Sequence, residues 1–130
     1  MATNQIRVGY VSVTYPETHR CRVMFPDNDN LVSGELRILN RGGLKNKDYW
    51  MPDVGDEVVC IFPENDGNFS DGYVAGCLFN EKSPPNEQSQ DKFRTDFEGG
   101  SYIEFDRKSG NLTIHCTGNI KLVGKRIDLN

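Results

Sequence analysis

An all-β chain is expected from three features of the sequence. Apolar and polar residues alternate with a period of two almost throughout, no stretch shows a capped helical period, and turn-forming residues separate the alternating runs. The 130 residues suffice for one ordinary domain, or for a smaller one with an appendage.

Ile6 to Val13 is the first expected strand, with Ile6, Val8 and Tyr10 on one face and Val11 and Val13 on the other; Gly9 marks a bend or bulge. Tyr15 to His19 turns the chain, and Arg20 to Phe25 returns with Cys21, Val23 and Phe25 inward and Arg20, Arg22 and Met24 outward. After the loop Pro26 to Asn30, a third run from Leu31 to Leu39 offers Leu36 and Ile38 to the core. An irregular connection, Asn40 to Gly55, leads to Glu57 to Phe62, where the unbroken apolar run from Val58 implies a strand covered on both faces. The acidic loop Pro63 to Asp71 and a last run, Gly72 to Phe79, complete the set. Five short strands with a long connection before the fourth fit a small barrel of the OB type over residues 1–80.

From Asn80 to Lys92 no apolar residue other than proline occurs, so residues 81–97 are expected to be a linker. Beyond it Tyr102 to Asp106 alternates, and then the chain repeats itself. Ser109-Gly110-Asn111-Leu112-Thr113-Ile114 matches Thr117-Gly118-Asn119-Ile120-Lys121-Leu122 position for position, and Gly124 to Leu129 is a looser third copy. Glycine-punctuated strand repeats are the mark of a β-helix or β-prism, expected here over residues 98–130.

The repeats send Leu112, Ile114, Cys116, Ile120, Leu122, Ile127 and Leu129 one way and polar residues such as Thr113, His115, Asn119 and Lys121 the other. One chain cannot bury that face. Each large side chain left in water forgoes about 1.5–3 kcal/mol, and open strand edges invite uncontrolled pairing. Three copies around a threefold axis resolve both problems, with the seven apolar residues as a dry axial core. At about 4.8 Å between stacked strands, such a stub is only about 20 Å long.

Composition narrows the chemistry. A net charge of −4 argues against a general nucleic-acid binder. No apolar run approaches membrane-spanning length, and Met1 to Arg7 lacks the pattern of a secretory signal, so synthesis in the cytoplasm is expected. Two sequons, at Asn68 and Asn111, carry no weight without a secretory route. Cys21, Cys60, Cys77 and Cys116 are widely spaced within apolar or alternating runs and read as small buried residues. Only His19 and His115 are available for histidine chemistry, and neither has a metal-ligand neighbour in sequence. Asp27-Asn28-Asp29 starts like a calcium loop but has Val32 at the glycine position and Ile38 at the glutamate position. Asp53, Asp56 and Glu57 are explained by the turn they flank. No catalytic residue, metal or cofactor is expected, and the chain reads as a structural protein and not an enzyme.

Several segments in order resemble the baseplate assembly protein V family of contractile-tailed phages and, more distantly, the valine-glycine-repeat spikes of type VI secretion. They are Arg7-Val8-Gly9-Tyr10-Val11, Arg22-Val23-Met24-Phe25-Pro26-Asp27, Tyr49-Trp50-Met51-Pro52-Asp53-Val54-Gly55-Asp56-Glu57-Val58-Val59-Cys60-Ile61-Phe62 and Asp71-Gly72-Tyr73-Val74-Ala75-Gly76-Cys77-Leu78-Phe79-Asn80. Trp50, Pro52, Gly55, Gly72 and Gly76 anchor this barrel motif. The resemblance implies a homotrimer that docks on tail hub or tube proteins through its OB barrel and meets the target cell envelope with its β-helix on sheath contraction. It places the mature protein in a virion tail baseplate or an extracellular particle. Several phage relatives end in a His-x-His iron site; here His115 is preceded by Thr113 at the matching position, which implies a separate tip-cap protein near Leu129 or a truncated chain.

A binding module is the alternative, since OB barrels hold single-stranded nucleic acid or oligosaccharide. Its support is the loop with Arg37, Arg41, Lys45, Lys47, Tyr49 and Trp50, where two aromatics stand among basic residues. The competing reading has Trp50 packed over the barrel end and the basic loop against an acidic neighbour, with no specific nucleic acid bound.

Overall fold

The computed structural model describes residues 5–63 and 69–130. The expected start of the chain and most of the acidic loop at 63–71, including the sequon residue Asn68, lie outside the described residues. The chain is all-β and divides into two compact units, Met1–Ser83 and Pro84–Asn130.

The first unit holds β1 (Gln5–Tyr15), β2 (Arg20–Phe25), β3 (Leu31–Val32), β4 (Leu36–Ile38), β5 (Glu57–Phe62) and β6 (Tyr73–Leu78). They form one sheet in the order β1-β5-β6-β4-β2-β3, and an additional β1–β2 pairing brings its ends together. All contacts are antiparallel except β4 with β6. β1 serves two neighbours because it changes partner midway: Gln5 to Tyr10 pair with β5, and Tyr10 to Tyr15 pair with β2. The register shifts between Val11 and Val13, so the extra residue is Ser12. This bulge, not one at Gly9, re-aims the strand. Gly9 has a different role: a Cβ there would lie 2.6 Å from Val23 Cγ1 and 2.8 Å from Phe25 Cδ1.

Alternation sets the core. Cys21, Val23 and Phe25 of β2, Val58, Cys60 and Phe62 of β5, Leu36 and Ile38 of β4, and Val11 and Val74 are buried together. Phe25, Phe62 and Phe69 form an aromatic cluster with ring centroids 4.8–5.9 Å apart, spacings at which aromatic pairs add to the burial of their surface. Phe69 belongs to the loop Pro63 to Asp71, as expected, yet it is buried in the core. It sits at φ 51° on an irregular segment, where no alternation marks it as apolar core. β5 also differs from the expectation of two covered faces, because Val59 and Ile61 are only half-buried. The run Leu31 to Leu39 is two strands. At the break, buried Ser33 substitutes for a ladder partner, accepting the Val23 N–H at 3.0 Å on its hydroxyl.

The second unit is a three-stranded antiparallel meander of β7 (Lys92–Asp96), β8 (Tyr102–Asp106) and β9 (Asn111–His115). β7 corrects the linker reading of 81–97: its charged residues hide an alternation in which only Phe93 is apolar. The β7–β8 turn is made by Gly99 and Gly100 at φ 92° and 97°, and the β8–β9 turn by Gly110 at φ 77°. These values suit glycine alone. Only the first octad copy is strand. Cys116 to Asn130, with the second and third copies, has no strand in the single chain.

Candidate assembly surface

Register decides which side chains share a face of the second unit. Phe93, Phe105 and Leu112 stand opposite one another across the three strands, and Thr95, Ile103 and Ile114 form the adjacent row. Six positions thus make one surface, and five of them are large apolar side chains. All five are exposed; Phe93 keeps 80% of its surface in water. Sequence reading found Leu112 and Ile114 through the repeat but missed Phe93, Ile103 and Phe105, although the period-2 pattern of Tyr102 to Asp106 carried the signal for two of them.

The opposite face is polar and better covered. Glu104, whose side chain is 13% exposed, accepts from Arg94 at 3.1 Å and lies 3.9 Å from Lys92. Arg94 also bonds Asp96 at 2.8 Å and lies 3.7 Å over the Tyr102 ring. Tyr102 in turn stacks on His115 at 5.1 Å. Hydrogen bonds from Arg94 to Asp96 and Glu104 hold its guanidinium charged and raise its pKa. The Lys92 ammonium is raised too, first by its bond to Glu87. The sheet therefore presents its apolar side to water and packs its polar side, the reverse of a one-sided sheet in a soluble domain.

The rest of the expected axial core is equally open. Ile120, Leu122, Ile127 and Leu129 are exposed, and Cys116 is half-buried. No residue from Pro84 to Asn130 is buried. The geometry brings Leu112 and Ile114 onto one face with Phe93, Ile103 and Phe105; it forms no common sheet with the residues beyond Cys116.

Of the barrel-motif residues, Trp50, Pro52 and Gly55 lie on the connection into β5, while Gly72 lies just before β6 and Gly76 within it. Trp50 donates its indole N–H to Leu39 O at 3.1 Å and packs against the core. Pro52 is buried. Gly55 turns the chain at φ 98°, and its N–H bonds Val11 O at 2.9 Å. Gly72 has no room for a side chain, since a Cβ would lie 2.5 Å from Phe62 Cδ1. Around Gly76 there is open space, but it flanks a second bulge at Ala75.

The other chemical candidates disperse. His19 is tied to the same connection, with Nε2 2.8 Å from Trp50 O and Nδ1 3.2 Å from the Asn40 amide. Cys21 and Cys60 are core residues whose thiols are pushed up to about 11 and about 12, chiefly by desolvation. Cys77 is exposed, which corrects the expectation that all four cysteines are buried: the Ala75 bulge lies just before it in β6, and the side chain is left outside the core. In the basic loop, Arg41 is paired with Asp48 at 2.6 Å. No protein-family model matches this chain, and no curated protein matches it.

Proposed function

We propose that the chain is a structural protein that works as a homotrimer, the central spike of a contractile tail baseplate or a related injection particle. The observation that carries this reading is the inverted sheet of the second unit. Its apolar face is stable in water only when covered, and three copies meeting at an axis cover it while leaving the ion-paired face outside. The exposed Ile120, Leu122, Ile127 and Leu129 extend the same demand along the chain, whose backbone after β9 forms no strand pairing in the single chain.

The first unit supports an OB-type barrel as the docking module. Its five main strands pair in a closed ring with one parallel contact, around a core that is apolar except for buried Ser33. The sequence resemblance to baseplate assembly protein V, which runs through Trp50, Pro52, Gly55, Gly72 and Gly76, supports the same assignment and favours tail hub or tube proteins as the partners of this unit. The function is mechanical. A β-rich trimer with a dry core transmits the thrust of sheath contraction along its axis and meets the target cell envelope without chemistry of its own.

Light scattering on the purified protein tests the proposal. Three times the chain mass at micromolar concentration is expected, and a stable monomer would sink it. The rival reading, a single-strand-binding module, is disfavoured because Arg41 is engaged by Asp48 and Trp50 by Leu39. Binding of labelled single-stranded DNA at moderate salt would restore it.

A further inference from the structure

Two surface features of the first unit make no ion pair with each other in their own chain and complement each other in charge. One is the tip of the loop between β4 and β5. An isolated bridge between Gly43 and Lys47 and the Arg41–Asp48 ion pair brace this tip. It presents Leu44 at 84% exposure, followed by Lys45 and Lys47, neither of which enters an ion pair among the described residues. An exposed apolar side chain is thereby held out into solvent on the same tip as two lysines.

The other is a groove of about 740 Å³. Met24, Val54 and Leu78 contribute its apolar wall, and Asp56, Glu57 and Glu81 its acidic rim. Lys82 lines the same groove, but among the described residues no lysine or arginine forms an ion pair with Asp56, Glu57 or Glu81. Their field is felt nearby. The charge of Glu57 raises the pKa of the Tyr10 phenol, whose hydroxyl donates to Glu57 at 3.3 Å. The Cys77 thiol is pushed up to about 11, first by desolvation and then by Asp56, Cys21 and Asp53.

We propose that the Leu44 tip of one copy seats in the groove of the next, with Lys45 and Lys47 on the rim carboxylates. Neither the leucine nor the lysines line the groove in their own chain. Tip and groove are different surfaces, so the contact is head-to-tail, the kind that closes into a ring under threefold rotation. An apolar centre with a charged rim is also the ordinary anatomy of a protein interface. The inference rests on the trimer reading and assigns the first unit its own role in assembly.

Carbodiimide coupling of the full chain tests it, since this reagent joins a lysine to a carboxylate only where the two are in contact. Covalent dimers and trimers are expected on a denaturing gel, with peptides linking Lys45 or Lys47 to Asp56, Glu57 or Glu81. Lys45→Glu with Lys47→Glu should abolish these links while light scattering still reports a trimer. Adding Glu57→Lys and Glu81→Lys to that variant should restore the ladder. A trimer that yields no such link, or links mapping elsewhere, overturns this contact alone. A monomer overturns it together with the trimer reading.

Discussion

In the first unit Phe25, Phe62 and Leu36 have no accessible surface, whereas in the second Phe93, Leu112 and Ile114 are largely in water. Both units are antiparallel or nearly so, and both are built from short alternating strands. The difference is closure. β1 changes partner at Tyr10, bulges at Ser12 and brings the ends of its sheet together, so the inward side chains meet one another. The β7-β8-β9 meander has three strands and two free edges, too few to curl around its own apolar face. The same alternation that completes a core in one place therefore creates a demand for partners in the other.

The largest expected effect comes from placing charge on the open face. In the proposed trimer Ile114→Asp puts one carboxylate per copy at the axis, and an unpaired charge buried there costs several kcal/mol. Sedimentation should report a monomer, while the first unit keeps its unfolding transition. Persistence of the trimer would show that the face lies outside the assembly. Phe25→Ala probes the other side of the comparison. It removes the ring that meets both Phe62 and Phe69 and is expected to cost the first unit about 3–5 kcal/mol in urea unfolding. The oligomeric mass should not change, and its loss would mean that the two units are not independent in assembly.

Much of this division was legible in the residues. The bounds of Glu57–Phe62, the inward set Cys21, Val23 and Phe25, and the octad repeat all follow from period-2 alternation and glycine placement. Other features left no such trace. Phe69 enters the core from an irregular segment, and a lone aromatic between Asn68 and Ser70 has no period to betray it. β7 was hidden because Lys92, Arg94 and Asp96, which flank Phe93 and Thr95, serve an ion-paired face that resembles a linker in composition. The bulges at Ser12 and Ala75 arise from the geometry of closing the sheet. Of the assembly surface, Leu112 and Ile114 were found through repetition, while Phe93 and Phe105 join them only through cross-strand register.

Gly72→Ala should have a moderate effect confined to the first unit. The added carbon would press on Phe62 Cδ1 at 2.5 Å and Ile61 O at 2.6 Å, and overpacking of this kind costs about 1–3 kcal/mol. Gly76→Ala is its control, since nothing lies within 4 Å of a Cβ there. Equal losses at the two positions, measured by thermal unfolding, would refute the close packing of Gly72 on Phe62.

The smallest effect is expected on the polar face of the second unit. Arg94 and Glu104 are partly covered in the single chain, at 20% and 13% side-chain exposure, but water still reaches both if the apolar face is the one turned inward. A double-mutant cycle with Arg94→Ala and Glu104→Ala should then give a coupling of about 0.2–1 kcal/mol, the range of solvent-accessible pairs, and salt should weaken it. Full desolvation changes the expectation, because close charge pairs sealed in an interface couple by up to several kcal/mol. A coupling of about 3 kcal/mol or more, insensitive to salt, would mean that the ion-paired face is the one enclosed. The apolar face would then have to be covered by something other than the threefold axis.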